Sequence, residues 1–261
     1  MKNSNEKPLI LITNDDGFTA PGIMALVEAV SEFGELIIVA PDSPQSGMGH
    51  AITINNPLRI HSTHYFDKHE AYNCSGTPVD CVKIGIYKLG KENRKPDLVL
   101  SGINHGSNVS TNVLYSGTMS AAIEGAMSGI PSIGFSLLDY DLEADFTVAQ
   151  HFVKKIVKQA LTHKMKEGIC LNVNVPKLPL SEVKGIKVAK QAKAFWDDTF
   201  DERADPLKKK YYWLAGEFHN HDRGTDTDMW ALENNYVSVV PTQYDLTAYD
   251  SISTIAEQLE K

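Results

Sequence analysis

Five short apolar runs recur along the first two thirds of the chain, with helix-like stretches between them, and this alternation restricts the fold more than any other feature. The runs are Pro8–Thr13, Leu36–Ala40, Asp97–Ser101, Ser132–Ser136 and Ile169–Val175. Continuous apolar runs of this length read as strands buried on both faces, the habit of parallel sheets. The stretches between them repeat at helical spacing. Ile23, Leu26, Val27 and Val30 form one stripe, and Val79, Val82, Ile86 and Leu89 form another behind Pro78. Met119, Ala122, Ile123, Ala126 and Met127 line a helix over Gly117–Ser128. The longest helix covers about Glu143–His163, with Ala149, Phe152, Val153, Ile156, Val157, Ala160 and Leu161 facing inward.

That order predicts an α/β protein: a Rossmann-like, doubly wound, mostly parallel sheet in three αβα layers. Alternating stretches between Ala51 and Cys74 read as two or three exposed strands, a hairpin inserted in the main fold. After Pro176 the character changes. Phe195–Asp245 is rich in Tyr, Trp, Asp and His without a steady period, and contains the strand-like pieces Tyr211–Ala215 and Tyr236–Val240. The 261 residues carry no repeat and no low-complexity linker, which predicts a single domain. Its core covers about residues 8–176, and a C-terminal extension of about 177–261 packs on that core or on a second subunit.

A formal charge of −8 argues against a nucleic-acid polymer or an anionic membrane as partner. Cys74, Cys81 and Cys170 have no metal-type spacing and read as core thiols of a reducing compartment. The polar start Met1–Lys7 is followed by an apolar run too short for a signal peptide or a membrane span, so a cytoplasmic protein is expected.

In open α/β sheets, ligands bind at the carboxyl ends of the strands. Three loops fall at that edge. Asn14-Asp15-Asp16-Gly17 follows the first run, a Ser/Gly loop containing Ser46 follows the second, and Gly102-Ile103-Asn104-His105-Gly106 follows the third. Two adjacent carboxylates resist joint ionisation unless a positive group sits beside them. A divalent cation would neutralise both, and the carboxylate, hydroxyl and amide oxygens of these loops suit Mg²⁺, Mn²⁺ or Ca²⁺. Asn-Asp-Asp-Gly is also ordinary turn chemistry, so the segment alone leaves both readings open.

Ser75-Gly76-Thr77 and Ser116-Gly117-Thr118 each precede a helix. Each is an N-cap candidate and an anion-cradle candidate, the first read mainly as a cap and the second mainly as a cradle. Gly224-Thr225-Asp226-Thr227-Asp228 reads as a solvated turn. His50 reads first as a structural hydrogen-bonding histidine, with a proton donor as the alternative. No P-loop, no dinucleotide-binding glycine motif and no Gly-x-Ser-x-Gly elbow occurs.

Several blocks together resemble the SurE (survival protein E) nucleotidase family. They are Thr13-Asn14-Asp15-Asp16-Gly17, Ala40-Pro41-Asp42 with Ser46 and Gly49-His50, Ser75 through Cys81, Ser101 through Gly106, and Ser116-Gly117-Thr118. They stand in the family's order across roughly residues 8–136. His105 is a departure, at a position where arginine is often found. The resemblance implies a divalent-metal-dependent phosphomonoesterase acting on nucleoside 5′-monophosphates, with 3′-monophosphates as further candidates, through attack by a metal-activated water. It implies one Mg²⁺ or Mn²⁺ per subunit, held by Asp15, Asp16, Ser46 and Asn104. Asp15, Asp16 and Asn104 would carry the catalysis, Asn104 bridging metal and phosphate. Ser116, Gly117 and Thr118 would hold the remaining phosphate oxygens, and Asn14 would shape the turn on the substrate side. A homodimer or homotetramer with an exchanged C-terminal part is implied as well.

Two rivals fit less well. A receiver-type signalling module needs a phosphorylatable Asp where this chain has Asn104. A haloacid-dehalogenase-type phosphatase expects Asp-x-Asp where this chain has Asp15-Asp16.

Overall fold

A computed structural model describes residues 7–141 and 143–260. The polar stretch Met1–Glu6 lies outside the described residues. Strand β1 (Leu9–Thr13) is buried along its whole length and occupies the middle of a nine-stranded sheet. On one side it pairs in parallel with β2 (Glu35–Pro41), which pairs in parallel with β4 (Glu70–Cys74). The short β3 (Ile60–Ser62) lies antiparallel on β4 at the edge. On the other side β1 pairs in parallel with β5 (Leu98–His105), followed by β6 (Ser132–Leu137) and β7 (Ile169–Val175), all parallel.

Helices α1 (Pro21–Val30) and α4 (Thr147–Thr162) cover one face, with Ile23, Leu26, Phe152 and Val153 in a shared core. Helices α2 (Pro78–Lys91) and α3 (Gly117–Met127) cover the other. The chain winds one way from β1 through β2 to β4, then crosses back to β5 and winds the other way. The strand order therefore reverses between β1 and β5, which is where a doubly wound sheet opens a crevice at its carboxyl edge.

The three layers and the parallel strands agree with the sequence expectation, and four details differ. The expected hairpin in the segment 51–74 is β3 and β4, but it is part of the main sheet rather than apart from it, because β4 joins beside β2. Its half-polar sequence suits a strand near an edge. Gly102–His105 belongs to strand β5 rather than to a loop. Asn104 and His105 resume pairing with Ser136 and Leu137 after a register shift at Gly102–Ile103. Gly102 is required there: its φ is +122°, and a Cβ would lie 2.3 Å from the Phe135 carbonyl oxygen. Met127, in the last turn of α3, faces solvent instead of joining the apolar stripe. Finally, β11 (Tyr236–Gln243) adds antiparallel to β7, and β8 (Gly185–Val188) lies parallel on β11. The main sheet thus runs past residue 176.

Strands β9 (Ala194–Ala204) and β10 (Lys210–Asn220) form a separate antiparallel ribbon, exposed along nearly all its length. Its base is tied to the loop before α3. Ser110 Oγ donates to the carbonyls of Ala192 and Ala194 and accepts the Ala194 N–H, and Trp196 Nε1 donates to Asn112 Oδ1 at 2.9 Å.

The segment 224–228 is not a solvated turn. Thr227 caps α5 (Asp228–Glu233), and the buried Asp228 carboxylate accepts the amides of Ser110 at 2.8 Å, Ala192 at 3.0 Å and Met229 at 2.8 Å. Three unpaired backbone donors make that carboxylate worth burying.

Candidate active site

The chain turns sharply after β1 because Asn14 Nδ2 donates to the Gly17 carbonyl at 2.9 Å. The turn sets Asp15 in a buried position and leaves Asp16 half-buried. The loop after β2 comes alongside, where the Gln45 N–H donates to the Asp15 carbonyl at 2.8 Å. Ser46, the next residue, sits in an exposed turn. The Gly49 N–H then reaches the Tyr115 carbonyl at 3.1 Å, one residue before the N-cap of α3.

At that helix start Ser116 caps the Met119 amide at 3.0 Å, and the Thr118 hydroxyl donates to Asp15 Oδ1. Ser116-Gly117-Thr118 is therefore an N-cap and a contact to the acidic pair at once. Gly117 is pressed against Asp15: a Cβ added there would lie 2.7 Å from the Asp15 Cβ. On the β5 side the His105 N–H donates to Asp16 Oδ2 at 3.2 Å. The Asn104 amide nitrogen donates to the carbonyls of His105 at 3.1 Å and Gly106 at 2.8 Å, which leaves its amide oxygen as the free acceptor end. The bulge before Asn104 re-aims that side chain relative to the strand, a common use of bulges near sites.

These contacts gather Asp15, Asp16, Gly117, Thr118 and the His105 amide at the carboxyl edge of the sheet, with Asn14 in the turn and Ser116 at the N-cap. Asn104 is next to His105, and Ser46 is next to Gln45, whose N–H meets the Asp15 carbonyl. Sequence reasoning missed two things. One is the Thr118–Asp15 contact, which spans 103 positions. The other is the reason for Gly117, for which the small residue at the helix start was the only available signal. His50 Nε2 lies 3.1 Å from Glu124 Oε2, and Lys83 donates to the other oxygen at 2.7 Å. This ties the Ser46 loop to α3 and agrees with the hydrogen-bonding reading of His50. Thr77 caps α2 in a reciprocal pair with Asp80, which accounts for Ser75-Gly76-Thr77 by capping.

Electrostatically the crevice is under tension. Burial first, and then the Asp16 charge, push the Asp15 carboxyl from 3.8 up to about 6. Burial also raises Asp16, although the His105 amide partly offsets it. The buried Asn14 Oδ1 has no hydrogen-bond partner. Among the described residues, no three His, Cys, Asp or Glu side chains gather in a metal-like group. A cation here would need the neutral oxygens of Asn104 and Ser46 as well as the carboxylates. Two desolvated carboxylates with amide and hydroxyl oxygens nearby are hard donors, and they fit a divalent cation such as Mg²⁺ or Mn²⁺.

The raised pKa predicts a pH-dependent metal response. A carboxyl raised in the folded state favours folding fully below 3.8, and that contribution is lost as pH rises through about 6. A cation that needs both carboxylates ionised acts in the opposite sense. Added Mn²⁺ or Mg²⁺ should therefore raise the melting temperature little at pH 5 and clearly at pH 7.5, as read by thermal denaturation of stripped protein. An equal gain at both values would place the ion elsewhere.

Fold and crevice together define a Rossmann-like α/β protein with an acidic, oxygen-rich site at its topological switch point, beside a helix N-terminus. Comparison with known proteins narrows that class. The family model described as Survival protein SurE matches residues 10–198. A 5′-nucleotidase SurE from Christiangramia forsetii is 57% identical over 255 residues, covering 97% of both chains. Another from Phocaeicola vulgatus is 42% identical over 251 residues, covering 96% of both. The crystal structure of the SurE protein from Aquifex aeolicus superposes with a TM-score of 0.83 at 42% identity, covering 97% of this chain and all of that one. The chain belongs to the SurE family.

Proposed function

We infer that this protein is a metal-dependent 5′-nucleotidase, a phosphomonoesterase that converts nucleoside 5′-monophosphates to nucleoside and phosphate. The observation that carries this reading is the contact between the acidic pair and the start of α3, where Thr118 donates to Asp15 across the crevice. It puts a cation-binding group and an anion-binding group side by side, as a phosphate monoester complexed to a metal requires. Nearly full-length relatives named 5′-nucleotidase support the substrate class. The rival readings, a receiver-like signalling module or a nucleotide-binding module, gain no support from those relatives.

Asp15, Asp16, Asn104 and Ser46 would hold one divalent cation per subunit, Mg²⁺ or Mn²⁺. When bound, it supplies charge neutralisation and Lewis acidity for attack on phosphorus. The chain's own residues supply position. Asn104, with its nitrogen pinned to two carbonyls, presents one fixed acceptor. Ser116 and Gly117 would offer a hydroxyl and a backbone amide at the positive end of α3 to the phosphoryl oxygens, while Thr118, whose hydroxyl and amide both hold Asp15, would fix that carboxylate beside them. Asn14 holds the turn that aims both carboxylates.

Exposed Trp196, Phe200, Tyr212, Trp213 and Leu214 on the ribbon, with Ile252, Ile255 and Leu259 on helix α6 (Ile252–Leu259), are more apolar surface than an isolated protomer favours. They support a homodimer or homotetramer built through the C-terminal extension of a single domain. No helix among the described residues is long and apolar enough to cross a membrane. The three buried free thiols support a cytoplasmic location.

The deciding experiment is phosphate release from a panel of nucleoside 5′- and 3′-monophosphates by stripped protein, with each ion added back. Release from 5′-monophosphates that depends on added metal is expected. No release from any nucleotide with either ion would end the nucleotidase reading.

A further inference from the structure

Over Gly106, whose carbonyl accepts the Asn104 amide, the structure places an aromatic side chain that nothing so far has used. Tyr140 follows β6 and is 75% exposed. Its ring nevertheless has a fixed seat. A Cβ built on Gly106 would fall 2.2 Å from Tyr140 Cε1 and 2.8 Å from two further ring atoms, so the ring occupies the space over Gly106. Gly106 is also the residue whose carbonyl anchors the Asn104 amide.

The loop under the ring is pinned at several points. The Gly106 N–H donates to the carbonyls of Leu137 and Asp139, and the Leu138 N–H donates to the Val175 carbonyl at 2.9 Å. The Asp139 carboxylate accepts from Lys177 Nζ at 2.8 Å and from the Asp141 amide at 3.1 Å. The ring is thus open to solvent over Gly106, a residue held from both sides and two positions along the chain from Asn104.

An exposed tyrosine on a held loop is an inexpensive stacking surface, because little conformational freedom remains to be lost on binding. A nucleoside monophosphate has an anionic end for the Thr118 side of the crevice and an aromatic end that needs a flat apolar partner. We propose that Tyr140 is the platform on which the nucleobase of the substrate stacks, which makes it a specificity-determining residue. This rests on the nucleotidase reading above. Stacking of this kind tolerates any base, so the platform selects nucleotides over other phosphate monoesters without choosing strongly among bases.

The test compares adenosine 5′-monophosphate with ribose 5-phosphate, the same molecule without its base. For wild type, Tyr140→Ala and Tyr140→Phe, the experiment measures KM and kcat for the nucleotide and the competitive inhibition constant of ribose 5-phosphate. Tyr140→Ala should raise the nucleotide KM about ten-fold with kcat nearly constant and leave the ribose 5-phosphate constant unchanged, while Tyr140→Phe stays close to wild type. Tyr115, exposed just before the N-cap of α3, is the comparison, and Tyr115→Ala should leave the ratio of the two constants unaltered. An unchanged nucleotide KM in Tyr140→Ala, or an equal rise for both ligands, would overturn the platform while leaving the nucleotidase reading intact. A wild type that hydrolyses no nucleotide would remove that reading and the platform with it.

Discussion

Replacing Asp15 by Asn should lower the rate of phosphate release by on the order of 10²–10⁴ while leaving the fold at least as stable as before. Both halves follow from one position. Asp15 is buried, faces a second carboxylate, and is pushed up to about 6 in the absence of a cation. At neutral pH the metal-free protein must keep that charge ionised against its surroundings. The rise from 3.8 to about 6, at about 1.4 kcal/mol per pH unit, corresponds to roughly 3 kcal/mol of opposition to folding. Asparagine has the same shape, still accepts from Thr118 and carries no charge, so the opposition disappears. On the proposed reading, the cation would lose its most buried anionic ligand in the same step. A catalytic carboxylate kept at a cost in stability is the pattern expected of a functional site. The checks are the rate with p-nitrophenyl phosphate and the melting temperature of stripped protein. Activity that survives both this change and EDTA would show that hydrolysis does not pass through the acidic pair.

The sequence revealed β1, β2, β5, β6 and β7 because a strand covered on both faces must be apolar at every position, and a run such as Leu9–Ile12 is too short to be anything but such a strand in a globular fold. Strands β4 and β11 were legible as strand-like pieces but not as members of the main sheet, for the converse reason. Strand β4 alternates half-buried polar residues, and β11 sits beyond a change of character that suggested an appendage. The ribbon escaped a full reading because neither of its faces meets this protomer's core, so no period distinguishes inside from outside. In the site, the carboxylate pair stood out by its electrostatic cost, although the segment alone also read as an ordinary turn. Asn104 was legible only as a residue near a strand end. Its precise attitude depends on a register shift and a cross-strand clash at Gly102 that no local pattern announces. Asp228 looked like turn chemistry because its three partners include amides from residues 110 and 192. Contacts between distant segments leave no mark on the local spacing of residue types, and the active crevice is made almost wholly of such contacts.

The same principle gives the second large effect, at a residue with no reactive atom. Gly117→Ala should reduce kcat by about 10²-fold, with a small change in stability and no new charge or hydrogen bond. Gly117 is the first residue of α3, so the change disturbs the helix interior little. The added methyl, however, would meet Asp15 at 2.7 Å from its Cβ and 2.9 Å from Oδ2, closer than carbon atoms approach in folded proteins. Asp15 cannot retreat into the sheet, because its carbonyl is held by Gln45 and its neighbour Asn14 closes the turn onto Gly17. Either the carboxylate rotates away from Thr118 or the start of α3 lifts off the crevice. Both movements separate the acidic pair from the amides of residues 116–118. A displacement near 1 Å between groups that must act on one phosphorus atom is enough to cost about two orders of magnitude. The measurement is kcat with a nucleoside 5′-monophosphate at saturating metal, beside a thermal melt. Wild-type turnover in Gly117→Ala would mean that α3 and Asp15 need not touch, and the reading of this crevice as a joint cation and phosphate site would lose its structural basis.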